Sequence, residues 1–174
     1  MSIESAREHL KQWGRHGDVI ESRSSTATVA EAAAALGVIP ARIAKSISLK
    51  TECGAMLILS AGDVKLDNKK FKECFGYKAR MLTADEALEA TGHAIGGVCP
   101  FGLPSGVDVY LDVSLRRFAT VFPACGSGNS AIELTLDELH EYARNKRWID
   151  VCKSADQTPA MQSMHACTKD VSIE

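Results

Sequence analysis

Apolar and polar positions follow helical spacing in several parts of the chain. Ile3, Ala6, Leu10 and Trp13 recur at that spacing near the start, and Gly17 is the predicted end of this first helix. Three Thr-x-x-Glu motifs are typical of the capping boxes at helix N-termini. They predict three further helices, which begin after Thr28, Thr83 and Thr135.

Shorter apolar or alternating segments predict strands. Residues 45–50 alternate, which indicates a half-buried strand, and the continuous apolar run of residues 55–60 predicts the most buried strand. Asp67 is a predicted cap for a short helix that ends at Phe75. The remaining predicted strands cover residues 19–21, 78–82, 107–111, 118–123, 132–134 and 148–151.

The order of these elements favours an α+β fold. Strands joined by turns predominate in the middle of the chain, with helices inserted between them. We therefore predict a single domain with a mixed, largely antiparallel sheet over residues 1–152. Residues 153–174 are polar and aperiodic, and we predict that they form a C-terminal extension.

Composition and charge narrow the function classes. The 174 residues are 45% hydrophobic and 24% charged, which is typical of a globular domain. The net charge is −2, so contact with nucleic acid would need a local basic patch. The N-terminus does not resemble a signal peptide, and no apolar run approaches the ~18 residues of a membrane span. A cytoplasmic protein with no membrane partner is expected.

The cysteine pattern predicts neither disulfides nor a metal centre. The chain has six cysteines, none in a Cys-x-x-Cys motif and none paired with a histidine at zinc-ligand spacing. Free thiols are expected in a reducing compartment. We expect no metal ion and no organic cofactor.

A glycine-rich loop in mid-sequence is the first candidate for a binding site. Glycine lets another backbone or a ligand approach closely, and proline fixes the chain direction. These properties predict a wall that binds something small through main-chain groups, although a turn between a helix and a strand fits the same pattern. The loop consists of Gly96, Gly97, Val98, Cys99, Pro100, Phe101 and Gly102.

Lys45 is the second candidate, because strand alternation puts it on the same face as Ile47 and Leu49. An ammonium on an apolar face is costly unless it meets an anion, a carbonyl or a water-filled pocket. The alternative is a lysine at a strand end whose stem extends outward to solvent.

A cluster of cations follows the buried strand. It is the best candidate in the chain for a phosphate-facing patch, and the alternative is a solvated helix face. The cations are Lys65, Lys69, Lys70, Lys72, Lys78 and Arg80.

Three segments, taken in order, resemble the YbaK/ProX family of aminoacyl-tRNA editing domains, which are related to the insertion domain of bacterial prolyl-tRNA synthetase. The first contains Arg42 and Lys45 after an alanine-rich helix. The second is the loop of residues 96–102, similar to the Gly-x-x-x-Pro loop of the family. The third covers residues 109–134 with its Gly-Ser-Gly-Asn turn.

This resemblance implies a barrel-like core with helices packed around it and a trans-acting aminoacyl-tRNA deacylase. Such an enzyme hydrolyses the ester between a wrong amino acid and the terminal ribose of a tRNA, here of the proline or alanine type. Lys45 corresponds to the essential lysine of the family. The loop that contacts the aminoacyl end corresponds to Gly96, Gly97, Val98, Cys99 and Pro100, and the other pocket wall to Gly126, Ser127 and Asn129.

The expected partners are an aminoacyl-tRNA and, as a further candidate, an aminoacyl-tRNA synthetase. Acceptor-stem phosphates would then contact the basic patch through Lys65, Lys69, Lys70 and Lys72.

Three alternatives remain open from the residues, and one of them is a small-molecule or redox role for the thiols of Cys99 and Cys125. Cys99 lies six residues after His93, so the two could form a thiol–imidazole pair for covalent catalysis. The chain could also be a non-catalytic module that binds tRNA or a synthetase.

Overall fold

A six-stranded mixed sheet forms the centre of the structure, a computed structural model that describes residues 2–155. The helices are α1 (Ser2–Leu10), α2 (Val29–Leu36), α3 (Asn68–Phe75), α4 (Ala84–Thr91) and α5 (Leu136–Tyr142). The strands are β1 (Ile20–Glu21), β2 (Ile43–Thr51), β3 (Gly54–Ala61), β4 (Val64–Leu66), β5 (Asp108–Asp112), β6 (Thr120–Pro123), β7 (Ser130–Ala131), β8 (Leu134–Thr135), β9 (Trp148–Ile149) and β10 (Cys152–Ser154).

The strand order of the central sheet is β8-β6-β2-β3-β5-β9, and β1–β7 and β4–β10 form two small separate pairs. Pairing is antiparallel in β2–β3, β6–β8, β1–β7 and β4–β10, and parallel in β2–β6, β3–β5 and β5–β9. The sheet curls into a half-barrel with the helices around it. The predicted mixed α+β domain is confirmed.

Two hydrophobic clusters hold this arrangement together. In the larger cluster, β3 is buried from Ala55 to Ala61, as its continuous apolar sequence predicts. The smaller cluster joins α2, β2 and β6 through Ala32, Ala33, Ile43 and Phe122. Burial of its apolar surface fixes α2 against the strands and forms one side of the cavity described below.

The predicted helix starts are confirmed, because the residues that signal them lie within one helical turn of each other. Thr28, Thr83 and Thr135 each form a complete capping box, and the Asp67 side chain accepts hydrogen bonds from the first turn of α3. No helix within residues 2–155 combines the length and the apolar character needed to cross a membrane.

Several predicted boundaries of helices and strands are wrong, because long-range strand pairing or backbone conformation determines where these elements end. The first helix becomes a 3-10 turn after Leu10 and ends at Gly14, which has φ +70°, and not at Gly17. Residues 78–82 form no strand and make only a single bridge between Met81 and Leu49.

In the C-terminal part of the domain, the sequence pattern predicted fewer strands than the structure contains. The predicted strand of residues 132–134 is replaced by two short strands, β7 and β8, on either side of Ile132. The strand β10 pairs with β4 as far as Ser154. Residues 156–174 of the predicted extension lie outside the described residues.

Candidate active-site cavity

A cavity of about 200 Å³ lies between β2, the segment that leads into α2, and the start of the glycine-rich loop. One side is apolar and includes residues of the smaller hydrophobic cluster. The other side carries hydroxyl groups and main-chain atoms. The lining residues are Thr26, Ala27, Thr28, Val29, Ala32, Ile43, Ala44, Lys45, Ser46, Ser48, Ile95, Gly96, Val98, Phe122, Ala124, Ser130 and Ala131.

The strand β2 supplies the hydroxyl side through its alternation. Ala44, Ser46 and Ser48 share one face of the strand and all three line the cavity. Ile47 and Leu49, on the other face, belong to the main hydrophobic core. The small side chains of the first face leave the space that the cavity occupies.

Lys45 lines the cavity together with Gly96 and Val98, while alternation along β2 puts its side chain on the face of Ile47 and Leu49. Its ammonium donates a hydrogen bond to the Val64 carbonyl at the start of β4. Burial lowers the pKa of Lys45, and the nearby Cys152 and Asp63 act in the opposite direction. An ammonium on this partly apolar face is therefore satisfied by a carbonyl, and its other two N–H groups can donate elsewhere.

The glycines of the loop are required by the protein itself. A Cβ atom on Gly97 would lie 2.6 Å from the Ser127 nitrogen and 2.7 Å from the Gly126 carbonyl carbon. Gly96 has φ +93°, and a Cβ there would lie 2.9 Å from the Ala27 Cβ. The loop and the Gly-Ser-Gly-Asn turn are thus in backbone contact, which brings two of the predicted motifs together.

Cys99 and Pro100 lie away from the cavity. Cys99 is fully buried, and Pro100 lines a separate groove with His9 and Leu103. Of the five predicted loop residues, Gly96 and Val98 line the cavity and Gly97 supports the loop from behind.

The thiol–imidazole geometry does not favour a nucleophile. Cys99 Sγ lies 3.4 Å from His93 Nε2, but that nitrogen is also 2.7 Å from the Phe101 carbonyl oxygen. Since a carbonyl can only accept, His93 Nε2 carries the proton and is unavailable as a base for the thiol. Burial raises the pKa of Cys99 to about 12, so the thiolate is scarce at neutral pH.

The turn at Gly126, Ser127 and Asn129 supports the cavity and does not itself line it. The Ser127 hydroxyl hydrogen-bonds with the side chains of Asn129 and Ser130, at 2.9 and 2.6 Å. The Asn129 amide donates to the Ser22 carbonyl. Through these bonds the turn fixes Ser130, which does line the cavity.

Of the four lysines expected to contact acceptor-stem phosphates, one is paired and three are exposed. Lys70 Nζ lies 3.0 Å from Asp150 Oδ1, and this side-chain hydrogen bond raises the pKa of Lys70. Lys65, Lys69 and Lys72 are exposed. Lys65 directly follows the residue whose carbonyl holds the Lys45 ammonium, so the patch begins beside that contact.

Sequence analysis did not identify most of the cavity lining. Thr26, Ser46, Phe122 and Ser130 come from four separate segments, which only the folded sheet brings together. Ser46 alone carried a signal, since it follows Lys45 in the alternating strand.

Comparison with known proteins assigns the class of this domain. The aminoacyl-tRNA editing domain family matches residues 23–142, which include every residue that lines the cavity. The chain belongs to this family.

Individual relatives agree with that assignment. YwhH of Bacillus subtilis, an uncharacterized protein, is 60% identical over 154 residues, which are 88% of this chain and 98% of YwhH. The proline–tRNA ligase of Pelobacter propionicus is 34% identical over 94 residues, which are 53% of this chain and only 16% of the ligase. A crystal structure described as that of a proposed trans-editing enzyme for prolyl tRNA synthetase superimposes with a TM-score of 0.79 at 32% identity, covering 88% of this chain and 98% of the other.

Proposed function

We propose that the protein is a trans-editing deacylase that hydrolyses mischarged aminoacyl-tRNA, with proline-type tRNA as its first substrate class. The supporting observation is the cavity that Lys45, Gly96 and Val98 line together. Membership of the editing-domain family and similarity to prolyl-tRNA ligases support the substrate class. The cytoplasm, where translation takes place, is the proposed location.

The size of the cavity suits one aminoacyl group. Its volume of about 200 Å³ is smaller than that of most sites for drug-sized ligands, which measure ~300–1,000 Å³. We therefore expect the aminoacyl group to enter while the tRNA stays outside. Val29, Phe122 and Ala131 would limit the size of the side chain that fits.

The reaction needs positioning and charge stabilisation more than a strong nucleophile, because the ester is already activated. Water adds to the carbonyl carbon and the bond from that carbon to the ribose oxygen breaks. One proton of the water goes to the ribose oxygen, and the other is released when the carboxylic acid ionises. The ammonium of Lys45 would stabilise the developing oxyanion or hold the terminal phosphate, and amides near Gly96 would orient the ester.

Hydrolysis of a panel of mischarged tRNAs tests the proposal. Proline and alanine acceptors charged with alanine, cysteine, serine or threonine are incubated with the wild type and with Lys45→Ala. We expect faster loss of at least one mischarged ester than of prolyl-tRNA. The variant should be slower by about 100-fold, the usual effect of losing one oxyanion donor.

The outcome also separates the proposal from its alternative. Tight tRNA binding with no hydrolysis of any ester above the spontaneous rate would favour a non-catalytic binding module. An unchanged melting temperature of Lys45→Ala excludes unfolding as the cause of a lower rate.

A further inference from the structure

Two buried hydroxyl groups on residues that line the cavity have no hydrogen-bond partner among the described residues. Across residues 2–155, only four buried side-chain nitrogen or oxygen atoms lack such a partner, and two of them, Thr26 Oγ1 and Ser46 Oγ, belong to residues that line this one cavity. Thr26 is only 7% exposed. Buried polar groups are normally paired, so two unpaired hydroxyls in the same cavity indicate a ligand.

Two other hydroxyls of the lining, those of Thr28 and Ser130, are engaged in hydrogen bonds within the protein. The Thr28 hydroxyl accepts from the Glu31 nitrogen in the capping box of α2. The Ser130 hydroxyl is bonded to Ser127. Thr26 is itself held in place, because its backbone nitrogen donates to the Gly128 carbonyl at 2.7 Å.

The charge of the lining selects the class of ligand group. No acidic side chain lines the cavity among the described residues. A cationic amino-acid side chain would therefore have no carboxylate to pair with there. A hydroxyl group is neutral and both donates and accepts, so it can bond two other hydroxyls at once.

We infer that Thr26 and Ser46 form a subsite for the side-chain hydroxyl of the amino acid that is removed, so that the preferred esters carry serine or threonine. This inference rests on the proposed deacylase function and adds the substrate class. Thr26 and Ser46 act here as specificity-determining residues. A pocket that bonds a substrate hydroxyl discriminates strongly against an analogue without it, because its own polar groups then stay unpaired.

Paired substrates on one tRNA test the inference. Proline-type tRNA is charged in turn with serine, alanine, threonine and valine, and single-turnover hydrolysis is measured for the wild type, Thr26→Val and Ser46→Ala. We expect the wild type to prefer serine over alanine, and threonine over the isosteric valine, by at least about 100-fold. Each variant should lose about 10-fold on the hydroxylated ester and keep its rate on the other.

Ser105→Ala is the control for loss of a hydroxyl outside the cavity, since Ser105 is exposed and lines the separate groove beside Pro100. Its serine-to-alanine preference should stay that of the wild type. If a variant fails to fold, the preference of the wild type for serine over alanine esters still tests the inference.

Three results would overturn the inference. Equal wild-type rates on serine and alanine esters would exclude a hydroxyl subsite while leaving the deacylase intact. Equal losses on both esters in Thr26→Val and Ser46→Ala would show that these hydroxyls contact the α-amino group or the ester. Absence of hydrolysis with every amino acid would overturn the proposed function itself.

Discussion

The Lys45 ammonium carries the charge on which the proposed chemistry depends, and it donates a hydrogen bond to the Val64 carbonyl. An ammonium on an apolar face needs such an acceptor, as its position in the alternating strand predicted. The sequence did not indicate this partner, because β4 was not predicted as a strand. The neighbouring Ser46 was not selected either, since a serine in an alternating strand is usually a solvent-facing residue.

The lowered pKa of Lys45 predicts a shift in the pH profile of deacylation. Burial disfavours the ammonium, so it deprotonates at a lower pH than the ordinary lysine value of 10.5. If the charged form is the active one, the enzyme-dependent rate should fall as the pH rises through the lowered pKa of Lys45. This fall should therefore begin below pH 10.5. The measurement is the rate against pH after subtraction of spontaneous hydrolysis.

Lys45→Arg is the control for this profile. A guanidinium stays charged throughout, so any remaining activity of that variant should lack the alkaline fall. An alkaline fall of the same position in Lys45→Arg would assign the titration to another group.

Cys99 gives a second prediction at the residue scale. Because its thiol is fully buried with a pKa of about 12, Cys99→Ala should keep the deacylation rate within about two-fold. Loss of the buried sulfur should lower the free energy of unfolding by about 1 kcal/mol. A folded Cys99→Ala protein without activity would revive the covalent mechanism.

At the scale of elements, prediction succeeded where the signal is local. Capping boxes at Thr28, Thr83 and Thr135 lie within one helical turn, and all three are present. The short strands β4 and β10 were missed because they depend on pairing between residues 64–66 and 152–154. Short segments carry too little periodicity to show such pairing in advance.

The contact between the loop and the turn predicts the effect of a single methyl group. Gly97→Ala should lower the free energy of unfolding by about 1–3 kcal/mol, because its Cβ would meet the backbone at Gly126 and Ser127. Displacement of the loop should also slow deacylation. Chemical denaturation and single-turnover rates are the measurements.

Gly17→Ala is the matched control for the added methyl. Nothing lies within 4 Å of a Cβ at Gly17, and its φ is not positive, so stability and activity should be unchanged. Equal stability of Gly97→Ala and Gly17→Ala would contradict the proposed backbone contact.

For the whole molecule, the net charge of −2 means that tRNA affinity has to come from a local surface. Replacing Lys65, Lys69 and Lys72 with alanine should weaken tRNA binding. It should also reduce the slope of log affinity against log salt by about 2–3, since each phosphate contact contributes ~0.7–0.9. Binding titrations between low and moderate salt measure both effects.

Lys70→Ala should have a smaller effect on this slope, because Asp150 already neutralises that lysine. An unchanged slope in the triple variant would place the tRNA on another surface of the protein.

The fold class and the family could be predicted from the sequence, whereas most of the cavity could not. Gly96 and Val98 were found because they lie in a recognisable motif. Thr26, Phe122 and Ser130 could not be found, because the cavity forms where segments far apart in sequence meet across a curled sheet.

The central claim is that the aminoacyl end of tRNA binds in the cavity lined by Lys45, Gly96 and Val98. The most direct test is NMR of methyl-labelled protein titrated with a non-hydrolysable amide analogue of seryl-adenosine. We predict shifts confined to cavity methyl groups, above all those of Val98 and Ile43. Shifts confined instead to Leu103 and Val107, in the separate groove beside Pro100, would contradict the claim.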